Sequence, residues 1–286
     1  MTLNFWRMCT ANLLLFISVY MLFPLLPFVM GEQLGVSVGQ AGSMFLVFAV
    51  AMFAVGPFHA YLVDAYKRKY VCMFAAALMV VATIGYAFVT NLTELILLGT
   101  VQGLAFGIGT TAGITLAIDI TNSTLRSAGN VSFSWMARMG MIAGIILGVW
   151  LYQSQSFQTL LTVSVITGAV GILMLSGVYV PFRAPIVTKL YSFDRFLLLR
   201  GWVPAINLIL ITFIPGLLVP MVHPFLNDFV LGNTGIPVPF FVGTALGYIV
   251  SLFFARLFFL KEKTLRLVII GLGLEIVAMS LLNTDI

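Results

Sequence analysis

Charge is scarce in this sequence. Only 8% of its 286 residues are Asp, Glu, Lys or Arg, against roughly 25% in a soluble domain. So few charges cannot solvate the outside of a water-facing fold, and 61% of the side chains are hydrophobic. Lipid is therefore the expected solvent for most of the chain. Cysteine is rarer still. Cys9 and Cys72 cannot form a disulfide framework and are expected as free thiols near helix ends on one side of the membrane. The two histidines, His59 and His223, are isolated, so no metal site with several ligands in reach can be read; each is expected to be hydrogen-bonded within a helix bundle. There is no phosphate-binding glycine loop and no Ser-His-Asp arrangement, and the nine acids are dispersed. An integral-membrane enzyme would need such groups clustered near an interface, so neither an enzyme nor a cofactor is expected. The net charge of +5 comes from cations spread between apolar runs, which argues against nucleic acid as a partner.

What the sequence does hold is long apolar runs. A span needs about 20 apolar residues to cross about 30 Å of hydrocarbon. Nine stretches qualify: 12–30, 41–62, 70–89, 95–118, 131–152, 160–179, 203–225, 239–259 and 267–282. Their separators carry turn-forming and polar residues such as Gly31-Glu32 and Asn227-Asp228. Barrel strands would alternate polar and apolar residues over about ten positions, whereas these runs are continuous and longer. Helices are the remaining way to satisfy the backbone in lipid. The first run is too long for a secretory signal and lacks a small-residue cleavage site, so it is read as a retained helix. The chain is thus an all-α polytopic membrane protein with nine expected spans.

Orientation follows from the cations. Arg7, then Lys67, Arg68 and Lys69, then Arg126, then Arg183, Lys189, Arg195 and Arg200, then Arg256, Lys261, Lys263 and Arg266 all fall on one side when the spans alternate. Arg138 is the one cation of the fourteen left deep within a span, Arg256 being counted at the cytoplasmic end of the eighth. By the positive-inside rule that side, with the N-terminus, is cytoplasmic. The longest connection divides the chain into a six-helix bundle over 1–181, a cytoplasmic linker over 182–202 and an incomplete second bundle of three helices over 203–286. An internal repeat supports the division. Asn12-Leu13-Leu14-Leu15-Phe16 and Asn207-Leu208-Ile209-Leu210-Ile211 open corresponding spans, each preceded by a tryptophan, Trp6 or Trp202. Lys67-Arg68-Lys69 and Lys261-Glu262-Lys263 close the next ones at the same offset of about 195 residues.

The segment from Ala60 to Lys69 resembles the loop signature of the major facilitator superfamily, Gly-x-x-x-Asp-Arg-x-Gly-Arg-Lys. Asp64, Arg68 and Lys69 match it, while Ala60, Ala65 and Lys67 replace its first Gly, first Arg and second Gly. Gln102-Gly103 in the fourth span is similar to the family's Arg-x-x-Gln-Gly, with Gly99 in place of the arginine. Gly140, Gly144 and Gly148 resemble its glycine-rich fifth helix, without the proline. The resemblance implies secondary transport of a small solute by alternating access, two helical halves rocking about a midplane site, either facilitative or coupled to protons or sodium. It implies a gating role for Asp64, Lys67, Arg68 and Lys69. The family has twelve helices, so a truncated copy is expected; a non-transporting fragment of a transporter is the alternative, and an integral-membrane enzyme a more distant one. The plasma (inner) membrane is the expected location.

Candidate residues for substrate or coupling are Arg138, Ser134, Gln102 and Glu275. Counted from a helix start near Val131, Arg138 sits about 10 Å into the membrane, with Ser134 one turn earlier on the same face. Ionisable groups at such depth usually face a bundle interior or a cavity. Arg138 is read as an anchor for an anionic solute or for a coupling carboxylate; the plainer alternative is a structural pair, or a stem that snorkels. Glu275, at a similar depth in the ninth span, is a candidate proton carrier or an acid facing lipid. Gln102, with Thr110, Thr111 and Thr115, gives the fourth span a polar face suited to a cavity. Gly99, Gly103 and Gly107 on the same helix form a stripe for close packing.

Overall fold

A computed structural model of the chain describes residues 2–180, 189–192 and 264–282, with single positions 206, 209 and 250. Apart from those positions, the expected seventh and eighth spans, most of the linker and the second copy of the repeat lie outside the described residues. The described chain is helical, with α1 Leu3–Leu22, α2 Leu26–Leu34, α3 Val38–Ala54, α4 His59–Ala65, α5 Arg68–Gly85, α6 Leu92–Asp119, α7 Arg126–Ser154, α8 Phe157–Ser176 and α9 Thr264–Leu282. Among the described residues, six segments are long and apolar enough to cross a membrane: Leu3–Leu22, Val38–Ala65, Arg68–Phe88, Leu92–Asp119, Ala128–Ser154 and Phe157–Ser176. They coincide with the first six expected spans.

The boundaries differ from those expected, each for a local reason. The first helix starts at Leu3 rather than residue 12, because Thr2 Oγ1 accepts from Phe5 N at 3.3 Å and Phe5, Met8 and Cys9 are buried in the bundle. It also breaks at Phe23–Leu25, where Pro24 can neither donate nor fit inside a helix. It resumes as α2 with Pro27 in the first turn and ends on Gly35 at φ 65°. The second span, expected as one helix, is interrupted by a 3₁₀ turn at Gly56–Phe58 that contains Pro57. Side-chain caps set other starts. Ser37 and Gln40 form a reciprocal capping box on α3, Asn91 caps α6 and Ser156 caps α8. The helix of the fifth span, α7, begins at Arg126 rather than near Val131.

Packing follows a simple rule. α1 lies against α7 and α8, α6 lies against α3 and α5, and α5 touches α8. Exchanging each span with the one three later maps this set of contacts onto itself. Spans three apart run in opposite directions, so the six helices form two inverted three-helix units. Glycines set the closest approaches. A Cβ placed on Gly140 or Gly144 of α7 would stand 2.6 Å from Leu13 O and 2.7 Å from Ile17 O of α1, and Gly148 meets Met21 O in the same way. On α6, a Cβ on Gly99 or Gly107 would stand 3.1 Å from Met44 O or 2.9 Å from Met52 O of α3, with Gly103 seated on Phe48 O between them. Small residues let the backbones touch, the packing that lipid-embedded helices favour. The two contacts are equivalent by the exchange, yet the glycines sit on opposite members. Between α1, α3 and α6 the rings of Phe16, Tyr20, Phe23, Phe45, Phe48 and Phe106 pack edge-to-face, stacked or tilted.

Candidate functional site

The starts of α1 and α5 and the ends of α4, α6 and α8 meet at one end of the bundle. Two extended residues, Tyr66 and Lys67, separate α4 from α5 and turn the chain so that Arg68, the first residue of α5, faces back towards α4. Its guanidinium then serves three acceptors. Nη2 donates to Asp64 Oδ1 at 3.1 Å, Nη1 donates to both carboxylate oxygens of Asp119 at 2.8 Å, and Nε donates to Val63 O at 3.0 Å. The side chain is only 12% exposed. A planar fork with five donors suits this arrangement, whereas a single ammonium could not span it.

Asp119 escaped the sequence reading. It closes α6, where the helix dipole already presents negative charge, so a carboxylate there calls for a cation beside it. The available signal was its position: an acid at the end of the fourth span, at the same membrane end as Arg68.

The other basic residues of the segment part company. Lys69 Nζ donates to Ser176 O at 2.6 Å and to Val178 O at 2.8 Å, while Arg7 Nη1 donates to Gly177 O at 3.3 Å. Two cations thus satisfy the terminal carbonyls of α8, where a positive charge is favoured. Lys67 points outward, its ammonium 5.8 Å from the centre of the Tyr70 ring. Asp64, Arg68 and Lys69 therefore join α4, α5, α6 and α8, and Lys67 stands apart from that network.

The candidates for substrate or coupling are not gathered in one place. Gln102 is buried, and its Oε1 accepts from Tyr86 OH at 2.6 Å, so it pairs α6 with the turn after α5. A pocket of about 430 Å³, counting its open mouth, lies between α1, α5, α6 and α8 and is lined by Asn12, Phe16, Cys72, Phe106 and Thr110 among others. Gln102 does not border it. Arg138 and Ser134 lie on an exposed face of α7. With α7 starting at Arg126, Arg138 is twelve residues, about 18 Å, along that helix. Glu275 is half-buried on α9. Thr110 and Thr115 turn their hydroxyls to carbonyls of their own helix, whereas Thr111 meets His59 across the α4–α6 interface. Cys9 and Cys72 are unlinked and buried in one apolar cluster with Phe5 and Leu116. Among the described residues, no three His, Cys, Asp or Glu side chains stand together as a metal site.

No curated protein matched the sequence. The family model of the Major Facilitator Superfamily matches residues 8–285, nearly the whole chain. That match agrees with the six apolar helices and the charged loop segment between the second and third, and the family is one of transporters rather than enzymes. The chain is an integral, multi-pass membrane protein that belongs to the major facilitator superfamily.

Proposed function

We propose that the chain moves a small solute by alternating access, with the Asp64–Arg68–Asp119 network acting as a latch on the cytoplasmic side and the N-terminus on that same side. One observation carries this reading: a single guanidinium ties the end of α4 to the end of α6 through two carboxylates. Such a contact can be present in one conformation and absent in another, and a difference of that kind is what biases a two-state equilibrium. The exposed face of α7 that carries Arg138 and Ser134 supports an anionic solute, since a cation deep in the membrane is kept where it can meet an opposite charge. The solute gradient alone, protons or sodium would drive the movement, from a place in the plasma membrane.

The test is flux into proteoliposomes holding the purified protein. A panel of labelled anionic, cationic and neutral solutes is offered with and without pH and sodium gradients. An anion is expected to accumulate, and Arg68→Gln to change its rate at least about tenfold while insertion stays normal, the effect of about 1.4 kcal/mol on the conformational equilibrium. Failure to move any solute overturns the transporter reading for this chain, and a cation or neutral solute moved in preference overturns the anionic one.

A further inference from the structure

His59 is the first residue of α4, directly after the 3₁₀ turn Gly56–Phe58 that interrupts the second span. Its Nδ1 lies 3.2 Å from Thr111 Oγ1 on α6. Its Nε2 is enclosed and meets no hydrogen-bond partner among the described residues. Buried ring nitrogens are ordinarily partnered, and one that is not asks for an explanation. A doubly protonated ring carries a donor on each nitrogen, and Nε2 forms no hydrogen bond in this arrangement.

The ring's surroundings make its titration informative. α3 carries no ionisable residue. On α4 itself stand Tyr61 and Asp64, the latter five residues on, about 7.5 Å along the axis. α5 contributes Arg68, Lys69, Tyr70 and Cys72 at its start. On α6, Asp119 lies eight residues past Thr111, about 12 Å. The linker brings Lys189 and Tyr191; Tyr191 packs its ring on Phe58 at 5.7 Å, and Ser192 N donates to Pro57 O at 3.1 Å.

α4 is only seven residues long and is fastened to α6 at both ends, by His59–Thr111 at one and by Asp64–Arg68–Asp119 at the other. A movement of α4 away from α6 loosens both contacts. It also admits water to Nε2, which supplies the missing acceptor. We infer that His59 is a proton-binding site linked to the Arg68 latch, so that protonating the ring favours release of α4 from α6. The inference rests on the proposed latch role of that network. Linkage is reciprocal: if the proton loosens the latch, loosening the latch must raise the proton affinity of the ring.

The test uses the full chain in lipid nanodiscs with His223→Asn, which leaves His59 as the sole histidine. Its ring nitrogens, labelled with nitrogen-15, are followed by NMR as pH is varied. Asp64→Asn and Arg68→Gln both break the latch but remove charges of opposite sign. Linkage predicts that both raise the titration midpoint by about one pH unit, a tenfold gain in proton affinity. Direct electrostatics alone predicts opposite shifts, a lowering for Asp64→Asn and a rise for Arg68→Gln, and that outcome overturns the inference. So does an unmoved midpoint in both. Should Asp64→Asn fail to fold, Asp119→Asn takes its place with the same expectation. Solute flux on the same preparations separates the two readings: a His59 that responds in a protein with no flux keeps the linkage and loses the transporter, and flux with an unresponsive His59 does the reverse.

Discussion

Arg68 holds two carboxylates and a backbone carbonyl from a position that is mostly enclosed, so its removal leaves two negative charges facing each other across α4 and α6. Arg68→Gln is expected to destabilise the bundle by about 1–3 kcal/mol, the range for lost hydrogen bonds to charged groups. The check is a lower melting temperature of the purified protein in detergent. Arg68→Lys should recover little of this, since one ammonium cannot grip both acids. Arg138 is tested by flux. Arg138→Ala should abolish transport of an anionic solute and leave insertion intact; flux that persists with unaltered affinity makes the residue structural. Asp64, Arg68 and Lys69 were legible from the sequence because their spacing follows a known loop pattern. Asp119 was not, because its partner is 51 residues away and nothing local marks the pair. Gln102 was legible as polar but not as bonded to Tyr86, a tertiary fact no spacing reveals.

Helices were read from apolar length, and that signal located all six described spans. It could not place the breaks. Prolines mark them, Pro24 and Pro57, yet proline is tolerated in spanning helices when neighbours satisfy the freed groups, so its presence alone does not decide. The start of α1 was missed for a related reason: it reaches beyond the apolar run and is held by a cap and by the burial of Phe5, Met8 and Cys9 in the bundle. The glycine stripes, in contrast, were legible as packing surfaces and pack as such. Gly144→Val is expected to disrupt the bundle, because a side chain there would run into Ile17 O and the α1 backbone. Loss of the monodisperse peak in size-exclusion chromatography is the measurement. Gly42→Ala is the control: nothing lies within 4 Å of its Cβ position, and the exchange should leave that peak intact with about 0.5–1 kcal/mol gained from helix propensity.

For the whole molecule, low charge and the one-sided distribution of cations were enough to predict a multi-pass membrane protein. The structure brings Arg7, Arg68 and Lys69 together at one end of the bundle. That this end faces the cytoplasm is testable with engineered cysteines. The native thiols are buried, with Cys9 at 0% and Cys72 at 3% exposure, so the background should be low. A cysteine at Lys67 is expected to stay unlabelled by an impermeant reagent in intact cells and to react once the membrane is permeabilised. One at Asn91 should react in both. Labelling at Lys67 in intact cells would reverse the orientation and, with it, the cytoplasmic placing of the latch.

Main chain seated directly on main chain has a mechanical meaning. Where the glycines of α7 rest on α1, and those of α6 on α3, carbonyl oxygens of the partner helix lie directly against them, so each couple is expected to shift as one beam. Shape change must then be taken up elsewhere, at the proline joint inside the second span and along the sparse seam between α1 and α6. A crosslink within either beam should leave turnover intact, and one across the joint should freeze it.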